Sequence, residues 1–146
     1  MLKGIPAILS PELLKRLCEM GHSDRLVIAD GNFPAESIGK NAYVVHLDGH
    51  NVPDILRAVL KVLPLDAYVE KPVSLMAKVP GDTAQTPIWD IVKAEVAKVD
   101  KRGAEAVGFV ERFQFYEEAR KAYLIITSSE TALYGNVILQ KGVVLE

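Results

Sequence analysis

The chain reads as an α/β fold: a single domain over residues 1–146, three layers deep, with a central mixed, largely parallel sheet flanked by helices. Three observations predict it. Apolar, strand-like runs alternate with helical segments from one end to the other, the order that lays helices over the faces of a sheet. The 146 residues suit one core, and the 49% apolar and 25% charged fractions are ordinary for a globular domain. No repeat, low-complexity tract or shift in composition marks a linker.

The elements follow in chain order. Ser10 is placed to cap a helix whose first position is Pro11. Leu13, Leu14, Leu17 and Cys18 then recur at helical spacing. Cys18 reads as a small buried hydrophobe, and Gly21 as the left-handed residue that ends the helix. Residues 25–29 form a short apolar strand, residues 32–41 a loop broken by Pro34 and Gly39, and residues 42–47 a second strand. Asn51 or Asp54 opens a helix carrying Ile55, Leu56, Val59, Leu60 and Leu63, which Pro64 ends. A strand is expected at 73–79. Thr86 as cap and Pro87 in the first turn open the next helix, with Trp89, Val92, Val96 and Val99 on one face. Residues 106–110 are a strand, 117–122 a short helix, 123–127 a strand and 137–139 a last strand before the Lys141-Gly142 turn.

Charge narrows the partners. Seventeen Lys and Arg against nineteen Asp and Glu leave a net charge of −2, with no basic stripe. Nucleic acid is therefore disfavoured, as is an anionic membrane surface. The opening Met1-Leu2-Lys3-Gly4-Ile5-Pro6 lacks the apolar core of a signal peptide. No apolar run reaches the roughly 18 residues that span a bilayer. One cysteine cannot staple a secreted domain, so a cytoplasmic protein is expected.

Candidate chemistry centres on residues 21–34. His22 follows a helix end, where it can exchange protons near neutral pH or simply satisfy the last helical carbonyls. Asp30 ends a strand and enters a Gly-Asn turn. It is either an ordinary turn residue or a ligand contact at the carboxyl end of a sheet. Arg112, ahead of Phe113, Phe115 and Tyr116, is either a surface cation over a core aromatic edge or a fork of donors suited to sugar hydroxyls or a ring oxygen. Tyr134 and Asn136 flank Gly135, which lets backbone approach a ligand closely. His46 and His50 fall in a strand and the following turn, so their four-residue spacing does not make a metal site with His22. Gly31, Gly39 and Gly49 fit neither dinucleotide nor P-loop spacing, and no Gly-x-Ser-x-Gly elbow occurs. Neither a cofactor nor a metal is expected. Acid–base chemistry on a small polar substrate is.

Together these segments resemble the fucose mutarotase and ribose pyranase family, nearly end to end. The resemblance rests on Leu2-Lys3-Gly4-Ile5-Pro6, Leu9-Ser10-Pro11-Glu12-Leu13-Leu14, Glu19-Met20-Gly21-His22-Ser23-Asp24, Ala29-Asp30-Gly31-Asn32-Phe33-Pro34, Arg112-Phe113-Gln114-Phe115-Tyr116-Glu117 and Tyr134-Gly135-Asn136-Val137-Ile138-Leu139-Gln140-Lys141-Gly142. The fucose branch is the closer one. The resemblance implies that His22 is the proton donor and that Asp30, Arg112, Tyr134, Gly135 and Asn136 contact the sugar. It also implies homo-oligomeric rings, often decamers, with the pocket near a subunit boundary. The implied reaction is interconversion of the α and β anomers of L-fucose by acid/base-assisted ring opening and closure. A ribose pyranase-type isomerase, a non-catalytic monosaccharide-binding module and a purely structural oligomer subunit are the alternatives.

Overall fold

A computed structural model describes residues 1–146. Five helices, α1 (Pro11–Glu19), α2 (Ala35–Ile38), α3 (Val52–Leu60), α4 (Pro87–Ala97) and α5 (Arg112–Arg120), alternate with six strands, β1 (Arg25–Ala29), β2 (Tyr43–Leu47), β3 (Val73–Met76), β4 (Val107–Val110), β5 (Leu124–Ser128) and β6 (Val137–Gln140). The strands form one sheet in the order β2-β5-β1-β6-β3-β4. β1 and β2 run parallel to β5, and β3 runs parallel to β4. β6 alone is reversed, pairing antiparallel with both β1 and β3. The expected three-layer, mostly parallel architecture is what forms.

Alternation along each strand divides the core between two faces. Leu26, Ile28, Leu124, Ile126 and Leu139 meet α1, α3 and α4 on one side. Val27, Ala29, Ile125 and Ile138 meet α2 and α5 on the other, around the fully buried Phe115. Buried on both faces, β1 and β5 read as continuous apolar runs rather than alternating ones. Ser10 accepts the Leu13 N–H at 3.2 Å, and Asn51 accepts the Asp54 N–H at 2.9 Å, so these two expected caps are made, whereas Thr86 makes no side-chain cap bond to α4.

The structure corrects several local expectations. Gly21 is not left-handed; Ser23 is, at φ 72°. The helix leaves through extended Met20 into a turn closed by the Asp24 carboxylate on the Gly21 N–H at 2.7 Å. Ser23 N–H bonds Lys141 O at 2.9 Å, which holds the strained residue in place. Cys18 is exposed, because Leu13 and Leu17 define the buried stripe of α1 and position 18 falls off it. Residues 32–41 contain the short helix α2, formed because Ala35 and Ile38 bury together against α5. Gly39 closes it: a Cβ there would lie 2.7 Å from Ala35 O and 2.9 Å from the Ile125 side chain. α5 begins at Arg112 rather than Glu117, since the Glu111 carboxylate caps Phe113 and Gln114 N–H at 3.0 and 3.1 Å. On α4 the buried face is Ile88, Val92 and Val96, while Val99 lies beyond the helix end and is exposed.

Candidate active site

The reversal of β6 decides which residues meet. Arg25 opposes Gln140 and Ile28 opposes Val137. Whatever precedes β6 therefore sits at the carboxyl end of β1, and whatever follows β6 sits at its start. Two clusters result, one at each end.

At the carboxyl end, Asn136 is buried beside Asp30. Its Oδ1 accepts the Asp30 N–H at 2.8 Å and its Nδ2 donates to Asp30 Oδ2 at 2.9 Å. Asp30 Oδ1 takes the Asn32 N–H at 2.9 Å. Burial raises the Asp30 carboxyl above its ordinary value, against the lowering pull of these donors, and nearby Glu130 adds to the rise. Asp30 is thus a stronger base than a surface aspartate. The start of α5 brings Arg112, whose Nε donates to the Tyr116 hydroxyl at 3.3 Å while its guanidinium stacks over that ring. Tyr134 adopts a left-handed backbone, φ 57°, with its carbonyl accepting the Trp89 indole N–H at 3.1 Å. These groups border a cavity of about 260 Å³. Polar Asp30, Arg112, Tyr134 and Asn136 face apolar Phe33, Met76 and Leu133 across it. Gly135 does not line it; a Cβ there would press on Ile88 and on Ala132 O, both at 3.1 Å.

At the other end stands His22. Its Nε2 lies 3.1 Å from both carboxylate oxygens of Asp66, which is only 1% exposed, whereas the imidazole side chain is 43% exposed. Asp66 also accepts the Tyr68 N–H and the Gln140 amide, each at 2.9 Å. Burial pushes the Asp66 carboxyl up, but the Tyr68 N–H, the Gln140 amide and the His22 ring outweigh it and hold it below the ordinary value. An ionised carboxylate only accepts, so His22 Nε2 carries the proton and Nδ1 is the nitrogen left free. The Tyr68 ring flanks the imidazole at 5.4 Å between centroids. Gly142 permits this packing: a Cβ there would sit 2.5 Å from Leu65 O and 2.9 Å from Asp66 Cα.

The fold therefore brings Asp30, Arg112, Tyr134 and Asn136 to one cavity and leaves His22 outside it. The acidic companion of His22 is Asp66, not Asp30. β1 alone separates the two clusters by about 13 Å, at ~3.3 Å per residue. Asp66 and Tyr68 carry no reading in the sequence, while Asp82 stands there only in a chain break and Gln140 only in the segment of family resemblance. Asp66 left one signal, a lone carboxylate after Leu63-Pro64-Leu65, but nothing there indicates a partner 44 residues away. His46 engages Glu36 and Thr127, both at 2.9 Å, on the strand expected to carry it. The largest cleft, about 490 Å³, lies between the end of α3 and the C-terminal residues. Its mainly apolar lining holds none of the groups described above.

Comparison with known proteins shows the family and the fold. The model of the RbsD / FucU transport protein family matches residues 3–144. Fucose mutarotase of Homo sapiens is 49% identical, over 97% of this chain and 94% of that protein. The crystal structure of FucU from Bifidobacterium longum superposes with a TM-score of 0.97 at 64% identity, over 98% of this chain and 100% of that one. Fucose mutarotase of Streptococcus pneumoniae, solved in complex with L-fucose, superposes at 0.90 with 40% identity, over 99% and 100%.

Proposed function

We infer the function from kinship and cavity together: the chain belongs to the RbsD / FucU transport protein family, and it is an isomerase that interconverts the α and β anomers of L-fucose. The observation that carries the site assignment is the convergence of Asp30, Arg112, Tyr134 and Asn136 on one small cavity. Its polar side offers a carboxylate, a guanidinium and a phenol to sugar hydroxyls, while Phe33, Met76 and Leu133 suit the methyl group of a 6-deoxy sugar. Gly135 supports the Tyr134-Asn136 segment from behind.

The chemistry needs two proton movements. One proton reaches the ring oxygen as its bond to the anomeric carbon breaks, and one leaves the anomeric hydroxyl as the aldehyde forms. Rotation about the C1–C2 bond and closure on the other face complete the exchange. His22, its Nε2–H committed to Asp66, delivers the first proton from Nδ1–H of the imidazolium, whose charge Asp66 balances, and takes it back at Nδ1 on closure. Asp30, with its raised carboxyl, accepts the second. A general acid must come within about 3 Å of its target, and His22 of the same copy lies a strand length away. The complete site therefore pairs the cavity of one copy with His22 of another, a head-to-tail contact that closes as a ring, a decamer in the reading drawn from the sequence. Cys18, unpaired, is compatible with a cytoplasmic setting.

Saturation-transfer NMR on L-fucose tests the activity. Accelerated exchange between anomer signals is expected, with ribose, galactose and glucose as the comparison panel. Binding without accelerated exchange would leave a sugar-binding module instead. Mixing tests the shared site. Unfolded and refolded together, inactive His22→Ala and Asp30→Ala subunits should regain about one quarter of wild-type exchange, the chance that both halves of a random junction are intact. No recovery would place the site within one copy. Arg112→Ala should weaken fucose binding about tenfold or more, since a hydrogen bond from a charged donor contributes about 1.5–3 kcal/mol. Titration of the tryptophan emission measures it.

A further inference from the structure

Asp82, in the turn of residues 79–84, also lines the cavity and has no part in the reaction so far described. Gly81, at φ 84°, turns the chain there, and the Asp82 N–H bonds Val79 O at 3.1 Å. Asp82 Oδ1 accepts the Ala84 N–H at 2.8 Å, which fixes the carboxylate, and its Oδ2 accepts the Tyr134 hydroxyl. The Val79 N–H approaches the same phenol oxygen at 3.4 Å. Tyr134 is thus gripped at both ends, by Trp89 at its carbonyl and by this turn at its hydroxyl.

We propose that Asp82 is a positioning residue of the mutarotation, holding the Tyr134 hydroxyl by its proton so that the phenol oxygen meets the sugar as an acceptor. A phenol has one proton to donate; with that proton directed at Asp82, its free lone pair can only receive. A sugar hydroxyl supplies the matching donor, so the turn fixes the polarity of this contact as well as the ring position. The charges agree. The Tyr134 hydroxyl holds the Asp82 carboxyl below its ordinary value, and Asp82 in turn raises the phenol, which keeps its proton. Released from Asp82, the phenol would rotate and compete as a donor, and the strained Tyr134 backbone would lose one of its two tethers.

This inference rests on the cavity being the sugar site, and a double-mutant cycle separates the two claims. The single tryptophan, Trp89, is hydrogen-bonded to Tyr134, so its emission reports fucose binding. Fucose affinity is compared in wild type, Asp82→Ala, Tyr134→Phe and the double variant. Asp82→Ala should weaken binding about tenfold, the scale of one charge-assisted hydrogen bond misdirected. In the Tyr134→Phe background it should add about twofold or less, because its partner is gone. Asp82→Asn has one acceptor oxygen for two donors, the Ala84 N–H and the Tyr134 hydroxyl, so it too should weaken binding in the wild-type background and not in Tyr134→Phe, and it takes the place of the alanine variant in the cycle if that variant fails to fold. Equal losses in both backgrounds, or wild-type affinity in Asp82→Ala, would overturn the role of Asp82 while leaving the sugar site standing. A wild-type protein that binds no fucose would overturn both.

Discussion

Replacing His22 with alanine should lower fucose anomer exchange by about a hundredfold or more, within the roughly 10²–10⁴-fold that a positioned acid–base group contributes. The fold should survive. The imidazole is 43% exposed, and the turn that carries it is closed by Asp24 and by backbone bonds to Lys141, none of which the ring supplies. Asp66 would lose one of its donors but keep the Tyr68 N–H and the Gln140 amide, so unfolding should shift by about 1 kcal/mol or less. Exchange by NMR, fucose affinity by tryptophan emission and thermal melting then separate the effects: the rate collapses while the other two stay close to wild type. Exchange that remains near normal would remove His22 from the reaction.

Asp66→Asn should have the next largest effect, slowing exchange about tenfold or more, a fraction of what the imidazole itself contributes. The substitution keeps size and shape but removes the charge. Both oxygens of Asp66 accept hydrogen bonds, so an asparagine amide nitrogen must face Tyr68 N–H, the Gln140 amide or His22 Nε2–H, all donors. Turning Gln140 around would break its bond from Arg25 Nε at 3.3 Å. The tautomer of His22 is then no longer fixed, and Nδ1 loses its bias as the free nitrogen. The same residue links pH to stability. Its native carboxyl lies below the ordinary aspartate value, so it stabilises the fold above about pH 3.9 and loses that contribution as pH falls through the native value. The melting difference between wild type and Asp66→Asn should be widest near neutrality and shrink below about pH 4. A constant difference across that range would mean that the native Asp66 carboxyl titrates at its ordinary value, and one that widens as pH falls would mean that it is protonated in the native protein.

The layers and β1 were legible in the sequence because they depend on local pattern. An apolar run between Asp24 and Asp30 is a strand whatever surrounds it, and Ser10-Pro11 and Asn51 cap helices by local hydrogen bonds. The start of α5 was not legible, because a glutamate cap at Glu111 resembles any surface glutamate. α2 was hidden for a different reason: one turn of helix has little propensity of its own and exists through Ala35 and Ile38 burying under α5. At the site, Asp30 and Arg112 were visible as candidates at element ends. Their meeting with Asn136 depends on β6 running backwards, and no residue in β6 states its direction. The separation of His22 from Asp30 was implicit once five strand residues stood between them. Asp66 and Asp82 act on partners 44 and 52 residues away, beyond the reach of motif or period.

On the proposed shared site, donor and receiver stand at opposite ends of β1, and that placement implies an unusual mode of failure. In an open row of copies, one receiver and one donor would always hang idle at the termini; closing the row into a circle engages every one. Dilution that parts the copies would then silence the enzyme with every subunit still folded, so its working lifetime is set by how slowly neighbours let go.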